Sequence, residues 1–306
     1  MKNQTSNPLS LKPLAKLFVT GFSMGSADIV PGVSGGTIAL LFGVYEKLIN
    51  SIKIMTGDVV KLAVKGKFGQ ALKVAPLGFL MPLGLGLVTA IFVMSSILQT
   101  LLHDYPVLTW SVFFGLVLAS TLVISKEVKK WQASSLILLA VAALATYLVV
   151  GSIPMETPAT PLAFFLSGAV GICAMILPGV SGSFLLILLG KYTQVLNAVT
   201  NFDVVTLGIF MLGAGVGIAT FSRVLSYLFD KHHNKLIAVL TGMLIGSLRK
   251  IWPWKEVVLE RLNSHGEMVP VVEKNIVPGL GTEALFAVLL STAAFLLVWK
   301  LSKARK

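Results

Sequence analysis

The chain has 306 residues, of which 55% are hydrophobic and 12% charged, and its mean hydropathy is +0.86. Soluble domains carry about 25% charged residues, so this composition excludes a soluble enzyme or binding module and leaves a polytopic membrane protein. The net charge of +12 does not call for nucleic acid, because the basic residues sit in short loops between apolar segments, as they do beside anionic lipid.

In chain order, the apolar run after Lys16 is short and soon turns rich in Gly and Ser, which does not read as a cleavable signal. Region 14–52 is apolar but interrupted by PGVSG at Pro31–Gly35. The lysine-bearing stretch 53–73 has the composition of an amphipathic segment lying on a leaflet. Three apolar spans follow, at about 74–101, 107–124 and 134–151. Region 161–200 is again interrupted by PGVSG, at Pro178–Gly182, and three more spans follow at about 204–229, 233–250 and 283–301. The charged stretch within 249–280 reads as a solvated loop placed to gate an entrance, with Trp252 and Trp254 as interface anchors.

The two broken regions align at the offset between Pro31 and Pro178. Beyond PGVSG, the alignment pairs Gly21 with Gly168, Ala27 with Ala174, Leu41 with Leu188, Gly43 with Gly190, Tyr45 with Tyr192 and Asn50 with Asn197. An internal repeat at this spacing divides the chain into halves, 1–152 and 153–306. Three spans separate the broken regions, and three is odd, so the second copy enters from the opposite side of the membrane. The predicted fold is therefore an all-α polytopic membrane protein of two inverted-topology repeats, each a broken re-entrant helical hairpin followed by three transmembrane helices. Placing 53–73, 125–131 and 230–235 with both termini in the cytoplasm satisfies the positive-inside rule, since loops 102–106 and 152–160 hold no lysine or arginine.

Each PGVSG has a physical reading. Pro31 and Pro178 end a helix, and Gly32 and Gly179 permit a tight reversal. Ser34, Gly35, Gly36 and Thr37 then begin a new half-helix in one copy, and Ser181, Gly182 and Ser183 begin one in the other. Unpaired N–H groups and small hydroxyls at such starts attract anions. Close packing of small residues is the plainer alternative, but packing does not require the same break twice.

Charge inside an apolar segment is costly and marks function or an interface anchor. Arg223 is either a countercharge at depth or a snorkelling side chain. Asp28, three residues before Pro31, is either a protonatable coupling group or a helix-end hydrogen-bonding residue. Glu46, beside Tyr45, is a second acid that could take part in coupling or mark the interface. Lys191 lies at the comparable place in the second copy, and Arg249 with Lys250 reads as an anchor closing a short span. Helix starts and cations together favour an anionic substrate. Cys173 is a lone cysteine, and the four histidines have no metal-ligand spacing, so no metal or cofactor is expected.

The segments "GFSMGSADIVPGVSGGTIALLFGVYEKLI", "ILPGVSGSFLLILLGKY" and "FSRVLSYLF…GMLIGSLRKIWPW" resemble the bacterial PopT-like family of undecaprenyl-phosphate transporters over nearly the whole chain. The resemblance implies a flippase of the cytoplasmic membrane that returns undecaprenyl phosphate from the outer to the inner leaflet, for reuse in peptidoglycan and other envelope polymers. The phosphate head would then sit on Ser34, Gly35, Gly36, Thr37, Ser181, Gly182 and Ser183, with Arg223 as countercharge. A proton or ion could be coupled through Asp28 or Glu46. Two other classes stay open from the residues alone. One is a channel or secondary transporter for a small anion. The other is a polyprenyl-pyrophosphate phosphatase, for which a single buried acid and no buried histidine is a poor supply of catalytic groups.

Overall fold

The computed structural model describes residues 11–304 apart from Pro31, Glu156, 263–267 and Leu280. The chain is mostly helical, as its long apolar runs demand, since a backbone in lipid must satisfy its own hydrogen bonds. The first broken region forms α1 (Leu11–Ile29), α2 (Gly35–Leu41) and α3 (Tyr45–Ile54). A π-helical turn, Met55–Val59, leads from α3 into α4 (Val60–Val64) and α5 (Phe68–Val74). This 53–73 stretch exposes Val64, Phe68 and Leu72 among its lysines, an amphipathic surface as expected. Helices α6 (Leu77–Asp104), α7 (Pro106–Ser125) and α8 (Ala133–Val150) follow, close to the bounds predicted for spans.

The second broken region forms α9 (Pro161–Ile176), α10 (Gly182–Leu188) and α11 (Tyr192–Thr200), with α10 and α11 bent by 104°. The spans expected at 204–229 and 233–250 are both present, as two helices that meet at a kink at His232 and are numbered together as α12 (Val204–Ser247). Only His232 leaves the helical conformation within it, at φ −134° and ψ 37°. The same device separates α6 from α7, where Tyr105 alone sits at φ −133° and ψ 55°. His232 stands at the α12 kink, and His233 follows it. The last helix is α13 (Thr282–Ala304). Among the described residues, five helices are long and apolar enough to cross a membrane, or six if the bent pair α10–α11 counts as one span.

Loop 249–280 departs from expectation. It holds an antiparallel hairpin, β1 (Lys255–Leu262) and β2 (Met268–Asn275), in register from Lys255 opposite Asn275 to Leu262 opposite Met268. Trp252 ties it to the following chain by donating from Nε1 to the Ile276 carbonyl at 2.9 Å. The fold is therefore helical with one β-hairpin, and not purely helical.

Packing follows from small residues. α1 lies on α6 so closely that a Cβ on Gly21 would sit 1.9 Å from the Leu83 carbonyl oxygen, and one on Gly86 2.0 Å from that of Phe18. α9 lies on the first part of α12 in the same way, with Gly168 against Phe210 and Gly213 against Phe165. The later part of α12 packs on α8 through Gly242 and Gly246, and α13 packs on α7 through Gly115 against Ser291. Close backbone approach of this kind is how helices associate where lipid leaves no hydrophobic drive between them. The buried cluster that includes Val30, Val33, Tyr45, Ile49, Leu240, Leu244 and Ile251 surrounds the first break, while Leu136, Ile137, Leu144, Phe286 and Leu297 face outward.

This packing yields a contrast within one helix. Gly86→Ala forces a methyl into the Phe18 carbonyl and should lower stability by about 1–3 kcal/mol, whereas Gly84→Ala, with nothing within 4 Å, should leave thermal unfolding in detergent unchanged or slightly raised.

Candidate functional site

The two PGVSG breaks meet. Gly32 and Gly179 both take positive φ, +88° and +79°, and so do Gly43 and Gly190 at the second turn of each copy, +67° and +65°. The first break turns Ser34 into an extended N-cap whose hydroxyl accepts from the Gly36 amide at 3.1 Å. The same hydroxyl donates across the molecule to the Leu177 carbonyl at 3.0 Å. In return, the Gly179 amide donates to Thr37 Oγ1 at 3.2 Å. Gly36 lies against Ile176, where a Cβ would fall 2.4 Å from the carbonyl oxygen. Ser34 and Thr37 are fully buried in this junction. Pro31 lies outside the described residues; Pro178 is buried at the turn that ends α9.

The two half-helix starts are not equivalent. Asp28 Oδ1 accepts from the Gly35 amide at 2.6 Å, so with Ser34 it caps α2 twice. This bond is the helix-end contact expected of Asp28 as one of its two roles. The matching position in the second copy is Met175, whose Cγ would lie 2.3 Å from a Cβ on Gly182, just as the Asp28 carboxylate crowds Gly35. A thioether cannot replace a carboxylate as acceptor, and α10 has no side-chain cap. The Ser181 and Ser183 hydroxyls instead bond each other at 2.8 Å. The start without a side-chain cap is therefore that of α10.

The cations fall differently from expectation. Arg223 is exposed and does not join the breaks: its guanidinium bonds the Ala219 carbonyl of its own helix and the Thr56 carbonyl of the π-helical turn, the latter at 3.2 Å. Glu46 is exposed in the first turn of α3 and makes no ion pair among the described residues. Lys191 is fully buried and spends its ammonium on the carbonyls of Thr157 and Pro158 and on Gln194 Oε1. The cation at the breaks is Lys250, read from sequence as an interface anchor. Its stem lies against Gly32, where a Cβ would be 2.7 Å from Cγ, and its ammonium stands 5.2 Å from the Phe184 ring centre on α10.

Lys250 opens onto a small cleft, about 40 Å³, lined also by Arg249, Lys255, Glu273, Asn275 and Gly151. Glu273 Oε2 accepts from Lys250 Nζ at 2.9 Å and from Lys255 Nζ at 3.4 Å. Burial pushes the Lys255 ammonium down to about 8 against the opposing pull of Glu273. Burial acts upward on Glu273, but the two ammoniums hold its carboxyl below the usual range. The sequence signal for this cleft was present in the RKIWPWK run, but its partner Glu273 comes from a hairpin that was read as loop.

Among the described residues no three His, Cys, Asp or Glu side chains are grouped to hold a metal ion. A multi-pass helical membrane protein with two interlocked helix breaks beside a cationic cleft is the arrangement of a transporter for an anionic substrate. The family model described as undecaprenyl phosphate translocase-like matches residues 24–269, and the chain belongs to that family. A polyprenyl-phosphate transporter of Vibrio cholerae is 38% identical over 311 residues, 99% of each chain. A polyprenyl-phosphate transporter of Staphylococcus aureus is 29% identical over 253 residues, 76% of this chain and 84% of the relative. No solved structure matches the chain significantly.

Two outcomes follow from the site. Thr37→Val keeps the shape but strands the Gly179 amide, which should cost about 1–3 kcal/mol in detergent unfolding, while Thr37→Ser should retain most of the stability. A lysine held below its unfolded value of about 10.5 costs the folded state stability at neutral pH, and that cost is relieved as pH rises from about 8 toward 10.5. Wild type should therefore gain thermal stability relative to Lys255→Met between pH 7 and pH 10.

Proposed function

We propose that this protein moves undecaprenyl phosphate from the outer to the inner leaflet of the cytoplasmic membrane, for reuse in peptidoglycan and other envelope polymers. The phosphate head crosses at the junction of the two breaks, and the apolar tail stays in lipid between the helices. The observation that carries the reading is the reciprocal pair of bonds, Ser34 to the Leu177 carbonyl and the Gly179 amide to Thr37. In this reading the two bonds are the closed form of the path, and their release would expose hydroxyls and amides from both copies to one head group. A substrate with an anionic head and a lipid tail needs such a polar seam and no enclosed cavity for the tail.

The two copies are taken as inverted repeats, 1–152 and 153–306, with both termini cytoplasmic, so the seam opens alternately to either face. Ser34, Gly35, Gly36 and Thr37 supply one side of it. Ser181, Gly182 and Ser183 supply the other, and α10, lacking a cap, makes the closer contact with phosphate. A helix of seven residues is a weak anion site alone, so a nearby cation is needed. Arg223, on α12 and bonded to the π-helical turn through the Thr56 carbonyl, is assigned to the inner end of the path. Asp28 is the acid beside the junction, and any proton taken up in the cycle is assigned to it rather than to Glu46.

The test is leaflet-resolved movement of a labelled polyprenyl phosphate in proteoliposomes. Wild type should exchange the lipid rapidly, and the double variant Ser181→Ala/Ser183→Ala and Arg223→Ala should each slow exchange by about tenfold, the loss of one charge-assisted contact. Chloride flux with no lipid movement would replace this reading with that of a small-anion transporter.

A further inference from the structure

We propose that Arg249, Lys250 and Lys255 form a reception site for a phosphate monoester, and that Glu273 occupies it as a displaceable stand-in. The inference rests on the lipid-phosphate reading for its location on the substrate path, but not for its chemistry. Three cations line one cleft, and Glu273 is the only carboxylate among the described residues that pairs with any of them. Glu256, the neighbouring acid on β1, is exposed and, by strand alternation, points to the opposite face from Lys255. The cleft thus holds a surplus of two positive charges. A phosphate monoester carries between one and a half and two negative charges at neutral pH, roughly that surplus with opposite sign.

Geometry gives the same answer. A single oxygen, Glu273 Oε2, is shared by both ammoniums, so the two lysines already converge on one acceptor. The Lys250 and Lys255 side chains are 19% and 7% exposed, and Glu273 is 20% exposed, so the pair is shielded enough to be strong and open enough to exchange. Arg249 is held from behind by the Tyr147 carbonyl at 2.9 Å and by the Tyr147 ring, which leaves its remaining donors for the cleft. Lys250 then connects the cleft to the junction, its stem against Gly32 and its ammonium over Phe184. A phosphate that displaces Glu273 arrives within one side chain of both breaks. Because Glu273 belongs to β2, its release also frees the hairpin from its ion pair with Lys250.

The experiment uses the full chain in detergent micelles, with a short-chain prenyl phosphate, the matching prenyl alcohol and inorganic phosphate as probes, read by calorimetry. Lys250→Gln and Lys255→Gln should weaken prenyl phosphate binding by about tenfold or more and leave the alcohol unchanged. Lys255→Arg should stay within a few-fold of wild type, which separates lost charge from lost fold. The decisive variant is Glu273→Gln. A stand-in removed should tighten phosphate binding several-fold, whereas a structural clasp removed would weaken it or leave it unchanged, and that result overturns the proposal. Inorganic phosphate showing the same order of variants assigns the site to the phosphate group itself. The same order with prenyl phosphate alone assigns it to a lipid head group. If wild type translocates the lipid but the variants bind alike, the cleft proposal fails and the transport reading stands. If the order holds for inorganic phosphate but no lipid moves, the reverse is true.

Discussion

Breaking a helix inside a membrane leaves amides and carbonyls with no water to receive them, and the structure is organised around that constraint. Each break is satisfied by the other. Ser34 reaches the Leu177 carbonyl that α9 leaves open, and Gly179 gives its amide to Thr37. Neither copy would be stable at depth alone, which gives a physical reason for the chain to carry the motif twice. The remaining helices serve this junction. Their glycines bring α1 onto α6 and α9 onto α12 at backbone contact, and that fixes where each break ends.

The charges obey the same rule of local satisfaction. Lys191 is fully buried yet faces two carbonyls and an amide oxygen, so its ammonium has an acceptor for each proton. Arg223 likewise caps carbonyls near the π-helical turn. The cluster at Glu273 differs, because there cations outnumber the carboxylate and the imbalance faces an opening. Charge that is fully answered holds a fold, and charge left in surplus is available to a ligand.

Much of this was legible in the sequence, for identifiable reasons. The duplicated PGVSG, with Gly43 and Gly190 at matched places, marks turns that only positive φ allows, and all four described glycines take it. The apolar runs gave the helices to within a few residues. The hairpin escapes a sequence reading because KEVVLERL and MVPVVEKN lack the strict alternation of charged and apolar residues that marks a half-buried strand, and β2 carries a proline. The kink that divides α12 at His232 carries no Gly or Pro, and the polar DKHHNK run marks it in the sequence instead. Arg223 drew attention by its depth along the chain, whereas Lys250 reaches the breaks through a fold-back that no local pattern announces.

Asp28 stands where Met175 stands in the other copy, so one half-helix start carries a side-chain cap and the other does not. If the breaks bind the substrate as proposed, the carrier has unlike faces, and half-saturation differs between the two leaflets. Detailed balance limits what that difference can achieve. Without an energy source it sets how fast each leaflet fills and empties, and leaves the final ratio untouched. Direction then comes from whatever consumes the lipid on one side, and the asymmetry of the breaks makes the protein responsive to that drain at the concentrations where it operates.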